Sequence, residues 1–235
     1  MLARSEIRAH ARKFWEDAGG RDRYGLPAGI ERAGLAALPL VIKRFERLTL
    51  GDIRRFVTRL GYQDPTMGEP NNRLLRGCLF ADLDIGLLFV DSTDDAHEQR
   101  VTVAHEIAHF VLHYLEPRRR AVQTFGAPII SVLNRTRPPT RGEQFSSSLR
   151  DVPLEPWRHA MGRQAAGGSS KIEAEADDLA VELLAPIDEL RGLNAQSAEE
   201  IAQKFGLPIG MSQKLFQLTK QPAESAGILK LFQKR

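Results

Sequence analysis

A single cysteine, Cys78, is all the thiol in 235 residues, so no intramolecular disulfide can form and a metal site built on several thiolates is excluded. Any metal here must be held by nitrogen and oxygen. Long hydrophobic runs are missing too: the longest apolar stretch, residues 34–42, is too short to cross a bilayer and contains Pro39. The opening MLARSEIRAHARKFW carries charge in every turn and lacks the apolar core of a secretion signal. Together these absences predict a cytoplasmic protein with no membrane partner. Neither sign of charge dominates, since 33 Lys and Arg face 30 Asp and Glu, and the net +3 with a pI near 9.2 permits contact with nucleic acid without requiring it. Arg118, Arg119 and Arg120 form the densest basic cluster, which reads as a solvated helix end. What is present, 42% hydrophobic and 27% charged residues, suits a globular chain that buries a core without staples.

Helical and strand patterns then alternate. Ile7, Ala11, Phe14, Trp15 and Ala18 recur at helical spacing until Gly19-Gly20. Thr49 is an N-cap with Asp52 at the third helical position, opening a helix to Gly61 whose buried face is Ile53, Phe56, Val57 and Leu60. After a turn-rich stretch at 64–72, two apolar runs at 77–81 and 85–90 predict a β-hairpin. From Ala96 to Glu116 the helical period returns, with Val101, Ala104, Ala108, Val111 and Leu115 on one face and Pro117 closing it. Residues 118–170, with Pro138-Pro139, three serines at 146–148 and Gly167-Gly168, predict a long, partly mobile excursion. A helix from Lys171 to Ala185 follows. The capping pattern Ser197-Ala-Glu-Glu200 opens a short helix ended by Gly206, and another begins near Ile209. This divides the chain into a domain at 1–192 and a helix-turn-helix-like module at 193–235.

The chemistry is written in His105-Glu106-Ile107-Ala108-His109. On a helix the two imidazoles stand one above the other and can reach one ion, while Glu106 projects where it can take a proton from water without binding the metal. In the later helix Glu173 and Asp177 lie within the stripe of Ala176, Ala180, Leu183 and Leu184, and carboxylates buried there need a cation or donors. A zinc ion on His105, His109 and Glu173 supplies that, with a fourth position left for water; manganese or another divalent ion fits the same donors. Asp177 is placed to accept the outer N–H of His105 and so orient it. Glu175, Asp178 and Glu182 point the other way, as a solvated face. His113 lies roughly 12 Å along the helix from His105, too far to share the ion, so packing or outer support is its expected role. His10, His97 and His159 are expected at the surface.

The runs AHEIAHFVLH at 104–113 and EAEADDLAVELLAP at 173–186 resemble the ImmA/IrrE metallopeptidase family, and RGCLFADLDIGLLFVDSTDDAHEQRVTVAHE before them is similar to the strands that lead into that family's zinc helix. The resemblance implies a zincin-like α+β core, a small sheet packed on helices, with His105, His109 and Glu173 as zinc ligands and Glu106 as base. It also implies a regulatory protease that cuts a helix-turn-helix repressor encoded nearby, in stress response, DNA repair or mobile-element transfer. Asp177 stands where the family usually has asparagine, Leu179 and Ala185 replace phenylalanine and methionine, and the interval between His109 and Glu173 is unusually long. That interval is expected to form a lid or a docking element. Substrate is expected to add as a strand along Ile85–Val90, and Tyr114 and His159 have the chemistry to face an oxyanion. The rival readings are a DNA-binding regulator, reading bases through Gln213, Lys214 and Gln217, and a metal-dependent interaction protein without turnover.

Overall fold

The computed structural model describes residues 2–25, 27, 29–62, 72–150, 152–163 and 170–220. The turn-rich stretch expected at 64–72, apart from Asn72, the glycines at 167 and 168, and the basic tail beyond Lys220 lie outside those residues. The first helix, α1 (Arg4–Asp17), buries Ile7, Ala11, Phe14 and Trp15 as its period requires. Next come α2 (Ile30–Ala37) and β1 (Leu40–Phe45), formed from the apolar stretch around Pro39, and α3 (Leu50–Arg59), opened by a reciprocal Thr49–Asp52 capping box. Ile53 and Val57 of α3 are buried, but Leu60 is 53% exposed, because the helix has ended before it and the chain turns away.

Strands β2 (Leu75–Asp82) and β3 (Ile85–Asp91) form the expected hairpin, and β1 joins β3 in parallel. The sheet order is β1-β3-β2-β4, with β4 at Trp157–Gly162 antiparallel to β2. Leu79, Ala81, Leu88 and Val90 face the main core, whereas Cys78, Phe80, Leu87 and Phe89 face a second cluster built on α3. Burial on both faces explains why the hairpin runs read as continuously apolar. Because β3 is internal, its backbone is already paired on both sides and cannot accept a substrate strand; among the described residues the sheet edges are β1 and β4.

Helix α4 (Ala96–His109), capped by Asp95, crosses the sheet, and nearly its whole circumference is covered from Thr102 onward. It does not stop at Pro117. A π-helical turn, Phe110–Leu115, leads without a break into α5 (Glu116–Phe125), whose first turn holds Pro117. Arg118 is not a solvated helix end: it is 3% exposed, held by Asp84 Oδ1 at 2.5 Å, the Leu133 carbonyl and Asn134 Oδ1. Arg119 and Arg120 are the exposed ones. The excursion carries short helices α6 (Ile130–Leu133), α7 (Arg141–Phe145) and α8 (Ser147–Arg150), and Ala121, Ile129, Val132, Leu133, Leu149 and Val152 form a small core of their own. It ends in β4, so part of the segment read as aperiodic is a strand of the sheet.

Helix α9 (Lys171–Leu184) packs on α4 through Ala104, Ala108, Ala176 and Ala180, small residues that let the backbones approach. Its other face is not solvated. Glu175 is buried and accepts from the Leu2 N–H at 2.7 Å, Glu182 accepts from Ile187 N–H, and burial beside Asp177 raises Asp178 to about 6. These acids read as surface because helix α1 (Arg4–Asp17), which covers them, is remote from α9 (Lys171–Leu184) in sequence. Helices α10 (Ile187–Gly192), α11 (Ala198–Phe205) and α12 (Ile209–Thr219) complete the described chain, with Gly206 in the left-handed turn between the last two at φ 62°. Ile201, Phe205, Leu207, Met211, Leu215 and Leu218 enter the same apolar cluster as α1, α4 and α9. No helix among the described residues is long and apolar enough to cross a membrane.

Candidate metal centre

Three elements converge on one point. Helix α4 presents His105 and His109 from successive turns, with their Nε2 atoms 3.0 Å apart. Helix α9 presents Glu173 from its first turn, where Ser170 caps the helix by accepting the Glu173 N–H. A glutamate three residues after a serine cap commonly turns back to the cap; here its carboxylate instead reaches His105 Nε2 at 3.5 Å and His109 Nε2 at 3.7 Å. The third contributor is β4, through a residue expected at the surface. His159 Nε2 lies 3.1 Å from Glu173 Oε1, and its ring stacks on His109 at 3.7 Å between centroids. His105, His109, His159 and Glu173 each offer one ligand atom, all within 4.8 Å of one another. The sequence reading gave His159 only the chemistry to face an oxyanion and missed its place in the cluster, because a strand residue has no helical partner to announce it; only its alternation with Trp157 and Met161 hinted at a shared face.

The outer nitrogens are all engaged. His105 Nδ1 stands 2.9 Å from Asp177 Oδ1, His159 Nδ1 stands 2.9 Å from Glu106 Oε2, and His109 Nδ1 stands 3.1 Å from His113 Nδ1. Carboxylates only accept, so His105 and His159 donate from Nδ1, and a neutral ring then turns the Nε2 lone pair inward. His113 Nε2 lies 3.5 Å from Glu175 Oε2, so His113 is placed to take a hydrogen bond from His109 and leave the His109 Nε2 lone pair facing the same point. Glu106 is fully buried, with its second oxygen, Oε1, unpartnered among the described residues. Tyr114 is elsewhere: it is buried against Phe110, and its hydroxyl accepts from Asp84 N–H at 3.3 Å.

Lone pairs and a carboxylate directed at one another repel unless a positive charge lies between them. That demand shows in the titrations. Burial disfavours a charged His105, yet hydrogen bonds to Asp177 and Glu173 outweigh it and raise His105 to about 10. Burial opposes charge on His159 as well, and Glu106 and Glu173 raise it to about 9. His109 is pushed well below its ordinary value by burial and by its two histidine neighbours. Glu173 is held far below the usual carboxylate range by the three imidazoles, despite its burial. Protons thus sit where a divalent cation would satisfy the same donors, and a His, His, Glu set with a third imidazole beside it is borderline ligand chemistry suited to such an ion. The residues fit a metal.

The match to known proteins agrees with this geometry. Residues 67–130 match the family model described as the IrrE N-terminal-like domain, a peptidase family designated M78. The matched span holds the hairpin, α4 and the π-helical turn, but neither Glu173 nor His159. No curated protein matches the chain at a significant level.

Proposed function

We propose, from the match of residues 67–130 to the M78 peptidase family model, that this chain is a zinc endopeptidase whose ion is held by His105, His109 and Glu173, with Glu106 as the general base and Asp177 orienting His105. The observation that carries the reading is the convergence of those three ligand atoms beside a buried carboxylate on the same helix. When bound, the ion acidifies water and polarises a carbonyl, which is the whole of its contribution.

The remaining work falls to the chain. Glu106 accepts a proton at Oε2 and returns it to the leaving nitrogen; burial in α4 and the His159 N–H fix the position of that oxygen. Gly77 of β2 makes the room, since a Cβ there would stand 3.2 Å from Glu106 Oε1. His159 belongs to the substrate side: it rides on an edge strand, so a peptide added to β4 passes it, and while Nδ1–H stays on Glu106 the Nε2–H of the protonated ring can face developing charge on the scissile carbonyl. The ImmA/IrrE resemblance supplies the substrate class, a helix-turn-helix repressor encoded beside this gene. Burial of Leu215 and Leu218 leaves α12 with one polar face for any additional contact with DNA.

The test combines the zinc-loaded protein with the neighbouring repressor and looks for a discrete cut by mass spectrometry. Glu106→Gln should keep stoichiometric zinc and lower the cleavage rate by about 10²–10⁴-fold. A Glu106→Gln protein that cuts as fast as the parent, or a parent that retains no metal, removes the reading.

A further inference from the structure

Beside the histidine cluster opens a cleft of about 430 Å³. One end is polar, made by His105, Glu173 and Asp177. Val101 from α4, Met161 from β4, Ala180 from α9 and Met211 from α12 give the cleft apolar walls, with Thr102 and Lys214 also on the lining. The charged groups on its lining are already engaged: Arg76 meets Glu98 at 2.7 Å, Arg163 lies between Asp91 at 2.6 Å and Asp94 at 2.8 Å, and Lys214 has a partner of its own. A charged substrate side chain would have to break one of those pairs. An apolar one meets two thioethers, flexible and polarizable, which adapt to a range of shapes.

The strand spacing ties this cleft to the reaction centre. His159 and Met161 are two residues apart on β4 and therefore share a face, separated by roughly 7 Å along the strand. An extended peptide laid along the β4 edge has the same repeat. A backbone carbonyl opposite His159 then brings a side chain about one residue pair away to Met161 and, across the cleft, to Met211.

Resting on the peptidase reading above, we propose that this cleft is the subsite for a large apolar side chain next to the scissile bond. Met161 and Met211 are its specificity-determining walls, and α12 is a working part of the peptidase. The helix pair that resembles a DNA-binding unit in sequence thus serves as one side of a substrate cleft, through Pro208 and Met211.

The test measures calorimetric binding of three small hydroxamates to the full-length, zinc-loaded protein: acetohydroxamate, one with an isobutyl branch, and one with a carboxymethyl branch. The isobutyl compound should bind the parent about tenfold or more tighter than acetohydroxamate, as burial of a branched alkyl group predicts, and the carboxymethyl compound should gain nothing. Met161→Trp and Met211→Trp each fill the cleft and should reduce the isobutyl advantage to less than about threefold while acetohydroxamate binding is unchanged. The two variants lie on different elements, so if the more deeply packed Met211→Trp protein does not fold, judged by its melting curve, Met161→Trp still decides. Retention of the full isobutyl advantage in the folded variants, or preference for the carboxymethyl compound, overturns the subsite and leaves the peptidase reading standing. Failure of every hydroxamate to bind the parent removes that reading and the subsite with it.

Discussion

His159 and Glu173 touch at 3.1 Å, and the two protonation states of His159 give that contact opposite signs. With a proton on Nε2 the contact is a charge-assisted hydrogen bond; without it, two electron-rich atoms oppose one another. His105, raised to about 10, and His159, raised to about 9, therefore carry protons near neutrality when metal is stripped, and a cation bound by His105 must displace the proton on that ring. Metal affinity should rise as pH goes from 6 to 8, with proton release seen by calorimetry in buffers of differing ionisation enthalpy; an affinity independent of pH would contradict this account. The stability of the stripped protein should show the reverse trend. Both folded-state values lie above the unfolded value of 6.5, so the contribution is fully present below pH 6.5 and is lost as pH climbs toward 9 to 10. His159→Ala separates ligand from substrate partner: zinc content should stay at one per chain while kcat falls by about 10²-fold, whereas a ligand role would lower zinc affinity by a comparable factor.

Helix α4 can lie close to the sheet because β2 offers no side chain at Gly77. A Cβ there would stand 2.4 Å from Thr102 Cγ2, well inside contact distance, and next to the Glu106 carboxylate. Gly77→Ala should destabilise the fold by about 1–3 kcal/mol in urea titration and depress turnover by shifting Glu106. Adding Thr102→Ser removes the clashing methyl, so the double variant should recover most of the stability; strictly additive losses would show that the contact is not the cause. Gly86 on β3 makes room for the neighbouring strand and for the π-helical turn, since a Cβ there would meet Leu40 Cδ2 of β1 at 2.5 Å and the Phe110 ring at 3.2 Å. Close approach at Gly77 brings Thr102 and Glu106 of α4 against β2. At the hairpin tip Leu83 and Asp84 both adopt positive φ, 47° and 64°, and Asp84 repays that turn by pairing with Arg118.

Across the whole molecule, α11 and α12 belong to the main core rather than to a detachable tail. Phe205, Leu207 and Leu215 are each at most 1% exposed within the cluster that includes α4 and α9. Truncation after Gly192 should expose that surface and yield a protein that aggregates or melts without a cooperative transition. A truncated chain with the parent's melting profile would show the two helices to be independent. Deleting residues 138–168 is likewise no simple test of a lid, because it removes β4 and His159 with the loop.

The helices with long periodic stripes, α1, α4 and α9, and the β2–β3 hairpin could be read from the chain alone, since their patterns record local geometry. The meeting of His105, His109 and Glu173, with Glu106 and Asp177 beside them, was also foreseeable, from spacing within single helices. What tertiary structure decided was which surfaces meet. Placing α1 against α9 buried Glu175 and Glu182, pairing β1 with β3 closed the edge on which substrate was expected, and adding β4 to β2 carried His159 to the cluster. These contacts join residues far apart in the chain, and their cause lies in the burial of apolar area from both partners at once, which no local pattern records.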